Sequence, residues 1–527
     1  MFATSTSFCE GRVPADSIYG LLYRQCFELF SDAMFADLFM DVGRRSVPPM
    51  IVAVVMVLQR LEGCSDREAV DRFAYDLRWK YAAGGLDFDY PSFVHTVLVD
   101  MRARLAASED PDRVFEVTLT AAREAGLVGR RRVLDSTALY DAVATMDTVT
   151  LIRSAIRGVL AACAGWEQQQ LRAVLRRDDE YRSAGKPGCD WEDRTAREEL
   201  VDALARDARA ILAVLDGREL APALEKAGEL LATVVGQDLQ TGEDGRFRIA
   251  RRVAKDRVIS TVDTDTRHGH KTAARGFDGY KGHIALDPDS EVILATQVSA
   301  GNVGDAAAAA GLLAVDLPTP TAKTDDTGPA ETAETAETDD PLMVYGDSAY
   351  GTGALLDKLE RGGIQARCKT QPPGAPGGRF PKSEFQVDLD GGTVTCPAEH
   401  TVALGTVKDG QIARFAKLCA DCPLAAKCTK SRKGRSIHLG PHERHLATAR
   451  AQQTDPDWRT DYTQTRPKVE RKIAHLMRRK HGGRRARVRG STKVAADFQL
   501  LAAAVNLARF AVLGLTRQPD GWALSTS

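Results

Sequence analysis

The sequence lacks the features that place a protein in a membrane or outside the cell. Its first residues contain neither a basic region nor a continuous apolar run of the kind that forms a secretory signal. The longest apolar run, from Met50 to Leu58, is about half of the roughly 20 residues that a transmembrane helix needs. We therefore expect a cytoplasmic protein that has no membrane partner.

The sequence also has no excess of either charge. It contains 71 Lys and Arg residues against 72 Asp and Glu residues, so its net charge of -1 gives no indication of a nucleic-acid partner. The distribution is uneven, however, because basic residues crowd the segment from Arg466 to Lys493 and acids concentrate between Glu331 and Asp340. A local basic surface can bind phosphates even when the whole chain is neutral.

A disulfide framework is equally absent. Only four of the ten cysteines are closely grouped, which is typical of reduced thiols in a cytoplasm. The length of 527 residues and the hydrophobic content of 43% predict about three or four domains with real cores.

Three acidic residues are the candidates for catalysis. The segments RRVL and LMVYG, which end in short apolar runs, lead into Asp135 and Asp347. This pattern predicts that each aspartate ends a buried strand at the rim of a sheet. Glu470 lies in a basic segment with helical spacing of its apolar residues. Two strand-end aspartates and a helical glutamate beside a basic surface are what metal-dependent phosphodiester chemistry requires. Glu443 is an alternative third acid, and a helical glutamate among arginines is often only an ion-pair partner.

Five motifs occur in a recognisable order: VLDST, GYKGHIALD, SAGNVGDA, VYGDSAYG and RARVRGSTKVAADFQLLAAAVNLARF. In this order and spacing the chain resembles bacterial DDE transposases of the IS1182 insertion-sequence family, within the IS4-like superfamily, over roughly residues 40 to 512. The resemblance implies an RNase H-like catalytic core. It also implies that Asp135, Asp347 and Glu470 are catalytic residues that bind Mg²⁺ or Mn²⁺.

The function that the resemblance implies is cleavage and strand transfer at the inverted-repeat ends of an insertion sequence by a two-metal mechanism. The partners would be double-stranded terminal repeats and target DNA, bound by a homodimer in a bacterial cytoplasm and associated with the nucleoid. An RNase H-like nuclease that cuts without joining is one alternative, and an inactive DNA-binding descendant of a transposase is another. The presence of all three acids argues against the inactive descendant.

The predicted fold class is α/β, with an RNase H-like mixed-sheet core, an N-terminal all-helical domain, a helical insertion and a small Cys-rich insertion. The helical domain, residues 1–128, would recognise DNA ends or only pack on the core. The other predicted segments are the first catalytic strand at 129–140, the helical insertion at 141–257, the continued core at 258–371 with a disordered acidic insertion at 316–340, the Cys-rich insertion at 372–448, and the catalytic helix, basic loop and core helix at 449–515.

Several local features are also predicted. Ser65 and Glu68 have the spacing of a capping box, and Pro91 is expected to start another helix. The segments GYKGHIALD and SEVILATQVSAGN predict an antiparallel hairpin that turns near DPDS. The polar residues before this hairpin, from Asp263 to Lys271, fit no common metal-binding spacing and are expected to form a loop near the DNA.

Four cysteines have a spacing that suits a metal site. Cys396, Cys419, Cys422 and Cys428 follow the pattern C-x22-C-x2-C-x5-C, although the last interval is wider than usual. Four thiolates could hold one structural Zn²⁺ in a loop-rich segment that has little core of its own. Unliganded thiols or a redox pair are the alternatives.

Residues near Glu470 are predicted to contact DNA. Related transposases carry a Tyr-x2-Arg-x3-Glu-x6-Lys signature, in which Arg466 and Glu470 keep their spacing. Tyr462 lies one residue too far from Arg466, and Met477 replaces the lysine, which leaves Arg478 or Lys480 for that role. The glycines that follow predict a flexible basic loop that binds the phosphate backbone with little base specificity; a solvated basic face is the alternative. The predicted DNA-binding residues are Tyr462, Arg466, Arg478, Lys480, Arg484, Arg485, Arg487, Arg489 and Lys493.

Overall fold

The computed structural model describes residues 4–39, 47–141, 143, 145–179, 181–272, 274–317 and 340–525. Within these ranges the protein is a mixed α/β structure with helices at both ends of the chain and a mixed sheet between them. The predicted disordered insertion at 316–340 lies almost entirely outside the described residues.

The described N-terminal segment is helical, and its helices are α1 (Ser5–Cys9), α2 (Ile18–Leu29), α3 (Pro49–Glu62), α4 (Asp66–Tyr75), α5 (Leu77–Ala82), α6 (Thr96–Ala107) and α7 (Arg113–Glu124). The capping box of Ser65 and Glu68 at the start of α4 is confirmed. The prediction that Pro91 starts a helix is wrong, because α6 begins at Thr96. The segment that precedes α6 is held by Lys80, whose ammonium donates to the carbonyl of Tyr90 at 3.1 Å.

The first strand of the central sheet, β1, is Arg131–Tyr140. A mainly helical segment follows it and has an apolar core of its own. Its elements are α8 (Thr148–Ala162), α9 (Gly165–Ala173), α10 (Arg194–Leu215), α11 (Pro222–Asp238) and the small hairpin of β2 (Leu239–Thr241) and β3 (Phe247–Ile249).

The chain then returns to the central sheet through β4 (Arg267–Thr272), β5 (Arg275–Leu286), β6 (Ile293–Ala300), α12 (Asp305–Leu312), β7 (Met343–Gly346), α13 (Gly353–Arg361) and β8 (Gln365–Cys368). The strand order is β6-β5-β1-β7-β8, and β4 pairs with the first residues of β5. The β5–β6 pairing confirms the predicted antiparallel hairpin. Strand β1 is antiparallel to β5 but parallel to β7, and β7 is parallel to β8.

Two expectations about this region are wrong. Asp135 lies in the middle of β1 and not at its end, because antiparallel pairing with β5 keeps the strand extended as far as Tyr140. The parallel pairing with β7 does end at Val133, two residues before this aspartate. His268 and His270 belong to β4 and are not loop residues, because the first residues of β5 supply them with a pairing partner.

The Cys-rich segment forms a second, antiparallel sheet in the order β13-β12-β11-β10-β9. Its elements are β9 (Gln386–Asp388), β10 (Thr393–Thr395), β11 (Thr401–Val407), β12 (Gly410–Arg414), α14 (Ala425–Cys428) and β13 (Ser436–Leu439). Phe385, Val394 and Phe415 are buried in an apolar cluster beneath this sheet. The expectation of a loop-rich segment with little core is therefore wrong, since alternating apolar residues on short strands build one.

The chain closes with helices α15 (Glu443–Gln452), α16 (Pro456–Thr465), α17 (Pro467–Leu476) and α18 (Ser491–Leu513) and the hairpin of β14 (Leu515–Gln518) and β15 (Gly521–Leu524). Helix α18 packs against β6 and against the N-terminal helices α2, α3 and α7. Among the described helices it is the one long and apolar enough to cross a membrane by length and composition. More than half of its apolar stretch is buried within the protein.

Buried Asn506 joins three parts of this fold. Its side-chain oxygen accepts from the amide of Ile293 at 2.9 Å, and its side-chain nitrogen donates to the carbonyl of the same residue at 2.8 Å. The same nitrogen donates to the hydroxyl of Thr118 at 3.2 Å. The N-terminal helices, the edge of the central sheet and α18 therefore share one core.

Candidate active site

Asp135 is a nearly buried carboxylate on β1. Its Oδ1 accepts a hydrogen bond from the amide of Ser136 at 2.8 Å and lies 3.0 Å from Nη2 of Arg466. Burial raises the pKa of Asp135 to about 6, and the nearby charge of Asp347 adds to this effect, while Arg466 opposes it. The two aspartates therefore lie close enough to influence each other, because β1 and β7 are neighbouring parallel strands whose pairing ends just before these residues.

Asp347 begins the turn that leaves β7. Its Oδ1 accepts from the amide of Ala349 at 2.9 Å, and its carbonyl accepts from the amide of Tyr350 at 3.1 Å. The preceding carbonyl, of Gly346, accepts from the hydroxyl of Tyr462 on α16 at 3.2 Å. The position of Asp347 is thus fixed from both the sheet and the C-terminal helices.

Arg466 joins Asp135 to Glu470. Its side chain is buried, and its Nη1 lies 3.5 Å from Oε1 of Glu470, one helical turn further along. Glu470 itself is 64% exposed and lines the same cleft as Asp347. The structure therefore brings all three predicted acids to one place, around one guanidinium group.

Glu443, the alternative third acid, has a different environment. It is buried, and its carboxylate contacts the ammonium of Lys382 and, at 3.3 Å, the guanidinium of Arg450. These contacts join α15 to the Cys-rich segment, and Glu443 does not line the cleft of Asp347 and Glu470. The geometry favours Glu470.

Two residues predicted to bind DNA instead support the acids in the free protein. Tyr462 is buried and stacks on Trp458 with ring centroids 4.9 Å apart. The ammonium of Lys369 lies 4.9 Å from the centre of the Tyr462 ring. Tyr462 and Arg466 thus hold Gly346 and the acids in place.

Sequence reasoning missed Lys369, which lines the cleft together with Asp347 and Glu470. It follows β8 directly, as Asp347 follows β7. Since β7 and β8 are parallel, both residues leave the sheet at the same edge. The lysine in the segment IQARCKT, directly after β8, is the signal that could have identified it.

The basic loop after α17 is attached to the rest of the fold, so the prediction of a flexible loop is wrong. The amide of Tyr140 donates to the carbonyl of Arg484 at 2.9 Å, and the amide of Ala486 donates to the carbonyl of Tyr140 at 2.8 Å. The guanidinium of Arg487 donates to the carbonyl of Cys64. These contacts fix the loop between the end of β1 and the N-terminal helices.

Most cations of this region nevertheless face solvent. Arg487 is half-buried by its contact with the N-terminal helices. The exposed predicted DNA-binding residues are Arg478, Lys480, Arg484, Arg485, Arg489 and Lys493. A fixed loop with exposed cations can bind a phosphate backbone with a smaller loss of conformational entropy than a flexible one.

The four cysteines surround one small cavity. Cys396, Cys419, Cys422 and Cys428 line it together with His400, whose Nδ1 lies 3.8 Å from Sγ of Cys396. The amide of Arg435 donates to Sγ of Cys419 at 3.4 Å. Burial raises the pKa of the Cys428 thiol, and the other three cysteines add to this effect. Four cysteines that line one cavity can bind a soft or borderline cation as thiolates.

The acids around Arg466 suit a different cation. Their donor atoms are carboxylate oxygens, which match the hard cations Mg²⁺ and Mn²⁺. Nε and Nη1 of Arg466 are buried and have no hydrogen-bond partner among the described residues. A guanidinium group donates to anions, so these donors suit a phosphate oxygen beside the acids.

The fold and the site define a mixed α/β protein with an acid-lined cleft where β7 ends. Residues 395–511 match the family described as a transposase DDE domain, and residues 9–104 match a transposase domain (DUF772). No curated protein and no solved structure matches the chain. The two matched segments include Glu470 and most of the N-terminal helices, and they indicate that the chain is a transposase.

Proposed function

We propose that the protein is a DNA transposase of the IS1182 type, which cleaves DNA at inverted-repeat ends and joins the ends to target DNA. The observation that carries this proposal is the position of Asp135, Asp347 and Glu470 around Arg466. The strand order β6-β5-β1-β7-β8, with parallel pairing from β1 to β8, supports an RNase H-like core.

The three acids would hold Mg²⁺ or Mn²⁺, as DDE transposase domains generally use divalent metal ions. Such ions activate a water or a DNA 3′-hydroxyl and stabilise the leaving oxygen during in-line attack on phosphorus. Asp135, whose pKa is about 6, is mainly ionised at neutral pH and therefore available as a ligand. Neither a Ser nor a Tyr nucleophile is needed for this chemistry.

Other residues of the chain would position the acids and the DNA. Arg466 orients Asp135 and Glu470 and offsets part of their negative charge. Lys369 and Arg459 line the cleft beside Asp347 and would contact the phosphates next to the cleaved bond. The exposed cations from Arg478 to Lys493 would hold the backbone further along the duplex.

Three further features belong to the same proposal. The N-terminal helices would bind the element ends, which the transposase-domain match over residues 9–104 supports. The four cysteines would bind one structural Zn²⁺, which their convergence on one cavity supports. The active form would be a homodimer on double-stranded DNA in the bacterial cytoplasm.

The test uses the full chain with a duplex that carries the element ends and a separate target duplex. Mg²⁺-dependent cleavage together with a joined product would support the proposal. Cleavage without joining would identify a nuclease, and DNA binding without cleavage would identify an inactive descendant. Asp409→Asn is the matched control, because this aspartate is exposed in the turn between β11 and β12, outside the cleft.

A further inference from the structure

A second group of metal-ligating side chains lies where α13 packs against α15, outside the acid-lined cleft. Asp357 and Glu360 are three residues apart on α13. His442 directly precedes α15, and His445 lies in its first turn. Residues at this spacing share one face of a helix, so a pair of carboxylates on one helix faces a pair of imidazoles on the other.

The distances between these side chains are close to those of a coordination shell. Asp357 Oδ2 lies 3.8 Å from His442 Nδ1, and Asp357 Oδ1 lies 3.5 Å from His445 Nε2. Glu360 Oε2 is 3.0 Å from the same His445 nitrogen. Around a tetrahedral Zn²⁺ with ligands at about 2.0 to 2.1 Å, neighbouring donor atoms are separated by about 3.3 Å. Small side-chain adjustments would therefore accommodate an ion.

This spacing is unusual within the protein. In the part of the chain that the structure describes, Asp357, His442 and His445 are the one group of three potential ligands whose donor atoms all lie within 4.8 Å of one another. Their side chains are mainly buried, with 15%, 32% and 23% of their surfaces exposed. Partial burial weakens competition from water for the ligands.

The backbone at the start of α13 allows His442 to lie close to this helix. A Cβ atom at Gly353 would lie 2.5 Å from the Cβ of His442, a distance that no pair of side chains tolerates. Glycine at this position thus permits the imidazole to pack against the first turn of α13. His445 Nδ1 is buried without a hydrogen-bond partner among the described residues, while Nε2 is the nitrogen that faces the carboxylates.

We propose that Asp357, His442 and His445, with Glu360 as the fourth ligand, bind one divalent transition-metal ion, foremost Zn²⁺. Two imidazoles and two carboxylates would fill a tetrahedral shell and leave no open position, as in a structural site. The ion would connect the helix that follows Asp347 to the helices that lead to Glu470. This inference does not depend on the proposed transposase function, because its test measures metal binding.

The competing arrangement is an ion-pair network without metal. Asp357 also contacts the guanidinium of Arg361, and a protonated His445 could pair with both carboxylates. The two arrangements differ in whether the protein binds metal at this site, both with Arg361 and in the variant Arg361→Gln. If an ion binds, removing the competing guanidinium should leave the metal affinity unchanged or increase it, whereas a pure ion-pair network binds no metal with or without Arg361.

Cobalt binding to the full chain provides the test. Co²⁺ bound to thiolates gives intense charge-transfer absorption, whereas Co²⁺ bound to imidazole and carboxylate gives only weaker visible bands, so this site is distinguishable from the cysteines. We expect the double variant His442→Ala, His445→Ala to bind one equivalent of Co²⁺ less than the wild type. It should lose the weaker visible bands of that ion and keep any thiolate absorption. The control His438→Ala, at an exposed position on β13, should retain both.

Glu360→Gln provides a variant that will not unfold the protein, because this side chain is 75% exposed. It should weaken Zn²⁺ binding roughly tenfold or more in competition with a chromophoric chelator. Equal metal content and equal affinity in the wild type, the double histidine variant and Glu360→Gln would overturn the proposal. So would a wild-type chain whose entire bound Co²⁺ has thiolate absorption.

Discussion

Arg466 and Asp135 form a buried ion pair with 3.0 Å between Nη2 and Oδ1, and the same guanidinium approaches Glu470. The pair joins β1 of the central sheet to the start of α17, the helix that carries Glu470. Removing one partner of a buried ion pair leaves an uncompensated charge, which costs more than an exposed pair contributes. Arg466 is therefore a positioning residue for both acids.

Replacing Arg466 by Gln should destabilise the protein at pH 8 by about 3 kcal/mol, because the Asp135 carboxylate stays buried without its counterion. At pH 5 the loss should be smaller, since Asp135 can then take up a proton. Urea unfolding at both pH values measures the difference. Arg459→Gln, an exposed change at the same cleft, should alter stability by less than about 0.5 kcal/mol. Equal effects of the two variants would show that the buried pair has no special role.

The chelator-treated wild type should lose stability as the pH rises from about 4 to about 6. Burial raises the pKa of Asp135 to about 6 from 3.8, so the ionised carboxylate costs folding free energy, on the order of 2 to 3 kcal/mol. The cost is absent below pH 4 and fully present above pH 6. Asp135→Asn removes the titrating group, so its melting temperature should depend less on pH over this range than that of the wild type. Mg²⁺ should stabilise only the wild type, and a variant that keeps the full pH dependence of the wild type would contradict this account.

Asp135→Ala, Asp347→Ala and Glu470→Gln should each abolish Mg²⁺-dependent cleavage and leave DNA affinity within about threefold, because they remove ligands and not the basic surface. Cleavage gels and filter binding on the same duplex separate the two effects. Glu443→Gln should cleave normally but melt earlier, since it breaks contacts with Lys382 and Arg450. Normal cleavage by Glu470→Gln together with inactive Glu443→Gln would mean that the third acid is Glu443.

The basic loop allows phosphate binding to be separated from loop attachment. Arg484→Gln with Arg489→Gln should weaken binding to all duplexes alike and flatten the salt dependence of the association constant by a slope of roughly 0.9 per lost phosphate contact. Arg487→Gln should mainly lower the melting temperature, because its guanidinium contacts the carbonyl of Cys64. If the Arg487 variant alone changed the salt slope, the assignment of these roles would be reversed.

Purified protein should contain one Zn²⁺ at the cysteines, and Cys419→Ser with Cys422→Ser should lose it and melt earlier. Metal analysis after gel filtration measures the content. Cys189→Ser, at a half-buried cysteine in the helical segment after β1, is the control and should keep the ion. A wild-type protein that is fully stable and has no metal at the cysteines would refute the site.

Local features of the fold could be predicted from the sequence where the signal is short-range. The capping box of Ser65 and Glu68 and the hairpin of β5 and β6 depend on neighbouring residues, and both predictions are confirmed. The placement of Asp135 at a strand end was wrong because its pairing partner, Ile284, comes from a distant part of the chain. Sequence spacing carries no information about such a partner.

The candidate site shows the same division. The three acids were identified from their position after apolar runs and within a basic helix, together with a family resemblance. The contact of Arg466 with Asp135, the role of Lys369 and the attachment of the basic loop to Tyr140 all join residues that are far apart in the sequence. Each depends on which elements pack together, and that is decided by tertiary structure.

The hydrogen bonds of Asn506 to Ile293 and Thr118 have a consequence for how the gene can be cut or recombined. The N-terminal helices and α18 contribute residues to one hydrophobic core, so neither part has a complete core alone. A fragment truncated at either end should be insoluble, and a chimera that takes one end from a distant relative should misfold unless the matching end is exchanged with it. An exchange between relatives should therefore transfer the N-terminal helices and α18 together.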